Sequence, residues 1–97
     1  MRVVLSKDFK EHLGQIVFFI SKDSKDRARA FKKELMSKIA DICFMPKRFR
    51  QNQFLGDENA RDLIYKKYVV PFYIFSDKIV IIDIYKHNIP ELQGFEK

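Results

Sequence analysis

Residues 59–88 read NARDLIYKKYVVPFYIFSDKIVIIDIYKHN, and their texture decides the fold class. From Tyr68 to Phe75 nearly every side chain is aromatic or β-branched, the type that fits a pleated, half-buried surface. Ser76-Asp77 supplies a turn, and Lys78 to Lys86 is a second β-rich run. With the segment entered at Arg61, this predicts three consecutive short strands forming an antiparallel meander. Alternation along the last strand puts Val80, Ile82 and Ile84 on one face and Ile79, Ile81, Asp83, Tyr85 and His87 on the other. The wholly apolar set is expected against helices. The second set turns polar toward its C-terminal end, which makes that end of the open sheet face a candidate site. Pro71 has no N–H for a ladder, so its strand is either locally an edge or bulged there.

Working back from the meander, the first half of the chain has apolar residues at helical spacing. Arg2–Leu5 reads as a short first strand, and Ser6 or Asp8 can cap the helix that follows. In that helix Phe9, Leu13, Ile16, Val17 and Ile20 share a face. The segment Ser21–Ser24 breaks the pattern, and Ser24 can cap a second helix whose stripe is Ala28, Phe31, Leu35, Ile39, Ile42 and Cys43. Pro46 ends it. Two amphipathic helices joined by a short polar turn should pack antiparallel. The expected architecture is α+β, a single domain over residues 1–97: an N-terminal strand and an antiparallel two-helix hairpin packed on a C-terminal antiparallel β-meander.

Charge and cysteine content bound the function. The net charge of +6 favours anionic partners, and the basic residues cluster. Lys25, Arg27, Arg29, Lys32, Lys33 and Lys38 stud the outer face of the second helix, and residues 46–53 carry Lys47, Arg48 and Arg50 with no acid. No apolar run is long enough to span a bilayer. MRVVLSKDF lacks a signal-peptide core, so a chain starting at Met1 and staying in the cytoplasm is expected. Cys43 is the sole cysteine, which excludes an internal disulfide and fits a reducing compartment; on the apolar stripe it reads as an inert core thiol. His12 and His87 are far apart in sequence, and no Gly-rich phosphate loop occurs, so neither a metal nor a cofactor is expected. The 10 Phe and 4 Tyr could stack single-stranded nucleic acid, but in so short a chain they are more simply its core.

Several local pieces then fall in a telling order: Phe31 in the second helix, Met45-Pro46-x-Arg48, Ala60-Arg61-Asp62-Leu63, Tyr68 through Phe72, and Ile84-Tyr85-Lys86-His87. This succession over residues 3–88 resembles the RelE/ParE superfamily of bacterial toxins, the growth-inhibiting partners in type II toxin–antitoxin modules. The resemblance implies a compact toxin held inactive by a cognate antitoxin, with no membrane partner. It also implies two mechanisms. RelE-like members cut mRNA on the ribosome with basic and aromatic residues and no metal, whereas ParE-like members poison DNA gyrase.

Metal-free RNA cleavage needs a base for the ribose 2′-hydroxyl, cations for the charged phosphorane and an acid for the leaving oxygen. In the nuclease branch the tyrosine that opens the third strand is followed by a phosphate-contacting arginine; here Tyr68 is followed by Val69. The arginine or tyrosine expected past the last strand is also replaced, by Asn88, Ile89 and Pro90. What remains for a nuclease is His87 as acid or base, Tyr85 as donor or stacking face, and Arg61 as phosphate clamp. For target or phosphate binding the candidates are Arg48, Arg50, Arg61 and Lys66. Each has a structural alternative: a strand-end His87 bonded to a carbonyl, an Arg61 ion-paired with Asp83 or a helix-end carboxylate, a capping Arg48, a solvated Lys66-Lys67 pair. The departures favour the ParE-like branch, binding rather than catalysis, with an mRNA endoribonuclease or a non-toxic nucleic-acid-binding module as alternatives. The oligomeric state stays open, a homo-oligomer included.

Overall fold

The computed structural model describes residues 1–86. In chain order the elements are β1 (Arg2–Leu5), α1 (Lys7–Asp23), α2 (Lys25–Ala40), 3-10 turns at Asp41–Cys43 and Pro46–Arg48, β2 (Arg50–Gln51), β3 (Ala60–Tyr65), β4 (Tyr68–Ile74), β5 (Lys78–Ile81) and β6 (Tyr85–Lys86). They build an α+β fold with one mixed sheet of order β1-β5-β4-β3-β2, β6 pairing with the end of β4. The expected meander β3-β4-β5 is present and antiparallel, and β1 adds to it in parallel along β5.

Serines set the ends of the helices. Ser6, not Asp8, caps α1: its Oγ accepts the Phe9 N–H at 3.0 Å and donates to the Ile82 carbonyl at 2.6 Å. Ser24 closes α1 and opens α2 at once, its N–H donating to the Ile20 carbonyl and its Oγ accepting the Arg27 N–H, both at 3.1 Å. The expected break at Ser21–Ser24 is therefore too wide. Ser21, Lys22 and Asp23 stay helical, and one extended residue, Ser24 at φ −159°, reverses the chain. At the other end α2 stops at Ala40, well before Pro46, and tightens into the 3-10 turn that keeps Ile42 fully buried and leaves Cys43 half-buried.

Phe9 and Leu13 of α1, with Phe31, Leu35 and Ile39 of α2, pack onto Leu63, Tyr65, Val70, Phe72, Ile79, Ile81 and Ile84 of the sheet side. Burying each large apolar side chain stabilises the fold by about 1.5–3 kcal/mol relative to exposure. The face assignment of the last strand is corrected here. Ile79 and Ile81 are buried against the helices, while Val80 is half-buried on the other face.

The cause is a bulge opposite Pro71. Phe72 pairs with Ile81 and Val69 pairs with Tyr85, so Val70 and Pro71 face three residues, Ile82 to Ile84. The Pro71 carbonyl accepts the Ile82 N–H at 2.9 Å, so the edge of Pro71 that lacks an N–H faces this same strand. A regular ladder cannot continue past it, and the extra residue takes up the mismatch. Beyond the bulge the alternation is inverted. Ile84 turns into the core, and Tyr85, directly across from Val69, lies on the open face. Of the two readings of Pro71, the bulged one holds.

Candidate functional site

Among the described residues three groups of side chains stand out as candidates, and the fold keeps them apart. The first lies on the open sheet face. Asp62 and Asn52 are its buried polar residues, at 5% and 4% exposure. Asn52 donates from Nδ2 to Asp62 Oδ1 at 2.8 Å, and Arg50 donates from Nε to Asp62 Oδ2 at 3.2 Å. Tyr85 reaches into the same field: burial and the Asp62 carboxylate push its phenol pKa up, against a smaller opposing pull from Arg50. A phenol held protonated in this way can donate a hydrogen bond but is a poor general base at neutral pH.

The second group sits at the corner between α2 and β2. Arg61 donates to the Glu58 carbonyl at 2.7 Å, the Lys47 carbonyl at 3.1 Å and the Phe49 carbonyl at 3.0 Å. Among the described residues no carboxylate pairs with it, and a backbone clamp stands where an ion pair was the alternative. Arg48 donates to the Phe44 and Asp41 carbonyls and stacks over the Phe49 ring, which in turn meets Phe72 edge-on. Lys66 belongs to neither group. It occupies the β3–β4 turn at φ +53°, 3.9 Å from Glu34, whose carboxylate also accepts the Tyr65 hydroxyl. Burial, then Glu34, push that Tyr65 phenol up to about 12.

The fold thus brings Arg50 and Tyr85 together around Asp62, and Arg48 and Arg61 together around residues 44–49, with Lys66 at the far end of β3 from Arg61. Val69, where the resemblance leads one to look for arginine, is fully buried. His87 lies outside the described residues. Among the described residues Asp83 pairs with neither Arg61 nor a lysine. The bulge frees it to accept the Ile84 N–H at 2.7 Å and to meet His12 Nδ1 at 2.6 Å, and that carboxylate raises the His12 pKa.

The third group was missed in the sequence. Phe18 and Phe19 lie off the buried stripe of α1 and are 66% and 72% exposed. Two adjoining clefts of about 470 and 430 Å³ share Phe19 and Tyr68, forming a groove beside α1. Ile16, Ile20, Phe31, Tyr68 and Ile84 line it together with the exposed Phe19, and Arg27, Lys66, Lys67 and Lys86 stand along it with Asp23 and Glu34. The signal was available: a Phe-Phe pair can place only one ring on a narrow helical stripe, and here neither is on it.

A family model described as "ParE toxin of type II toxin-antitoxin system, parDE" matches residues 3–89. The chain belongs to the ParE toxin family. Among solved structures, the chromosomal ParDE toxin–antitoxin system from P. aeruginosa is similar in fold, with a TM-score of 0.74 at 12% identity, covering 91% of this chain and 97% of that one. No curated protein matches. The ParE family membership places the chain as the toxin of a type II module, which implies a cognate antitoxin partner. No helix among the described residues is long and apolar enough to cross a membrane.

Proposed function

We propose that this ParE-family chain inhibits growth in the cytoplasm by binding DNA gyrase, without cutting RNA, and that its antitoxin neutralises it by filling the groove beside α1. The observation that carries the binding mechanism is the fate of its cations. Val69 is buried where nuclease relatives would need a phosphate-binding arginine, and Arg48, Arg50 and Arg61 are engaged by carbonyls or by Asp62. A phosphorane-stabilising site needs donors aimed at an empty position, not at the protein's own backbone. The groove supports the antitoxin part. An apolar floor with a mostly basic border suits an amphipathic segment with acidic flanks, docking as a helix in a groove.

The test is induction of the chain alone in a bacterial host. Growth should slow, with DNA damage appearing while bulk mRNA stays intact. Rapid ribosome-dependent mRNA cleavage would replace this reading with the endoribonuclease one. Unimpaired growth with folded protein accumulating would remove toxicity altogether.

A further inference from the structure

The loop between β2 and β3 presents Phe54 at 88% exposure and Leu55 at 54%, at a position the family assignment does not explain. An outermost aromatic on a mobile loop would mean little. This loop is tied down from below. Asn52 Oδ1 accepts the N–H groups of both Phe54 and Leu55 at 2.9 Å, its Nδ2 is held by buried Asp62, and its own N–H donates to the Ala60 carbonyl at 2.8 Å. Gly56, at φ +62°, turns the chain back. The returning limb is fixed by Asp57, which accepts the Asn59 N–H at 2.9 Å and the Tyr73 hydroxyl at 2.5 Å.

A buried carboxylate and a buried amide are costly to desolvate, and here their hydrogen bonds converge on the two residues that carry the exposed pair. We infer that Phe54 and Leu55 form a rigid apolar knob that inserts into a hydrophobic pocket on the toxin's protein target. The inference rests on the binding mechanism proposed above and locates its anchor. Interfaces draw most of their affinity from a few large, well-packed anchors, and one already ordered loses little entropy on docking. A protein pocket fits better than nucleic acid. Asp57 and Glu58 follow the knob directly and would repel phosphate, while the neighbouring Arg50 is paired with Asp62. On the other flank Lys47 lies 3.9 Å from Glu58 and Arg48 is held by the Phe44 and Asp41 carbonyls, so these basic residues, like Arg50, are already engaged, which again favours a protein pocket over phosphate.

Wild type, Phe54→Ala/Leu55→Ala and Asn52→Ala are compared for thermal melting, antitoxin binding, growth inhibition and binding to purified DNA gyrase. The double variant should melt like wild type and keep its antitoxin, yet lose growth inhibition and about thirtyfold or more in gyrase affinity. Asn52→Ala keeps both side chains but releases the loop, and should lose part of that affinity. A folded double variant as toxic as wild type overturns the inference while leaving the binding mechanism standing. So does loss of antitoxin binding with toxicity retained, which would assign the knob to the antitoxin. Binding to free duplex DNA that depends on Phe54 would make the knob a nucleic-acid wedge and overturn the protein pocket. A wild-type chain that neither slows growth nor binds gyrase removes the proposed function and the knob's role with it.

Discussion

Arg61 shows how a residue that looks like a target contact can be part of the frame. Its guanidinium gathers carbonyls from three residues on two segments, Lys47, Phe49 and Glu58. Arg61→Ala should therefore lower stability by about 1–3 kcal/mol in denaturant unfolding. Arg61→Lys should recover little, since an ammonium lacks the planar fork that spans several acceptors. If Arg61→Ala keeps wild-type stability and loses only target binding, the clamp is not its role. His12 gives a pH signature. Its folded pKa is raised by Asp83 above the ordinary value of 6.5. The stabilising contribution is thus fully present below about pH 6.5 and is lost as pH rises through the higher folded value. Thermal melts of wild type and His12→Gln from about pH 5.5 to 8.5 should differ most at the acid end and converge at the alkaline end. A difference that grows with pH would contradict the pairing.

At the scale of elements, the meander, both helices and the first strand were legible, because each rests on local pattern: β-branched runs, a shared helical face, serines at caps. Which face of the last strand enters the core was not legible. Alternation predicts faces only while the ladder is regular, and the bulge across from Pro71 interrupts it. The proline itself was the readable signal, since a missing donor in a central strand must be accommodated somewhere. Its accommodation in the neighbouring strand could be found only from the pairing of Val69 with Tyr85. The site was less legible than the fold for the same reason. Asp62, Asn52 and Arg50 meet through β2–β3 pairing, and Asp83 finds His12 71 positions away. Charge counts identify such residues as polar. They do not say that their partners lie inside the chain.

At the scale of the whole molecule, two of the apolar surfaces among the described residues lie on different elements, the groove beside α1 and the loop tip at Phe54. The proposed function and the inferred knob together divide the labour, with the groove for the antitoxin and the tip for the target. Co-expression with an adjacent antitoxin gene should yield a complex that is salt-sensitive, because its rim contacts are charged and solvent-exposed. Bound ligand at about a hundred times its Kd should stabilise the toxin by about 2.7 kcal/mol. Phe19→Glu should weaken that complex strongly, since it sets a carboxylate in the apolar lining that both clefts share, while growth inhibition by the free toxin persists. Loss of toxicity with antitoxin binding intact would reverse the two assignments.

The parallel seam between β1 and β5 has a consequence for the chain's birth. The first strand leaves the ribosome early, but its partner starts at Lys78, and the carbonyl that receives the Ser6 hydroxyl lies 76 positions downstream. At about 5–20 residues per second, the gap is on the order of 4–15 seconds of translation. Through that interval the helical hairpin can form, but the strand that begins the sheet has nothing to pair with, and contacts this distant in sequence make for slow folding. A polypeptide cut short before Lys78 would lack the seam altogether. The cell that makes this protein is therefore not exposed to a folded toxin until Lys78–Ile81 has been made, which leaves the antitoxin a window in which to be present first.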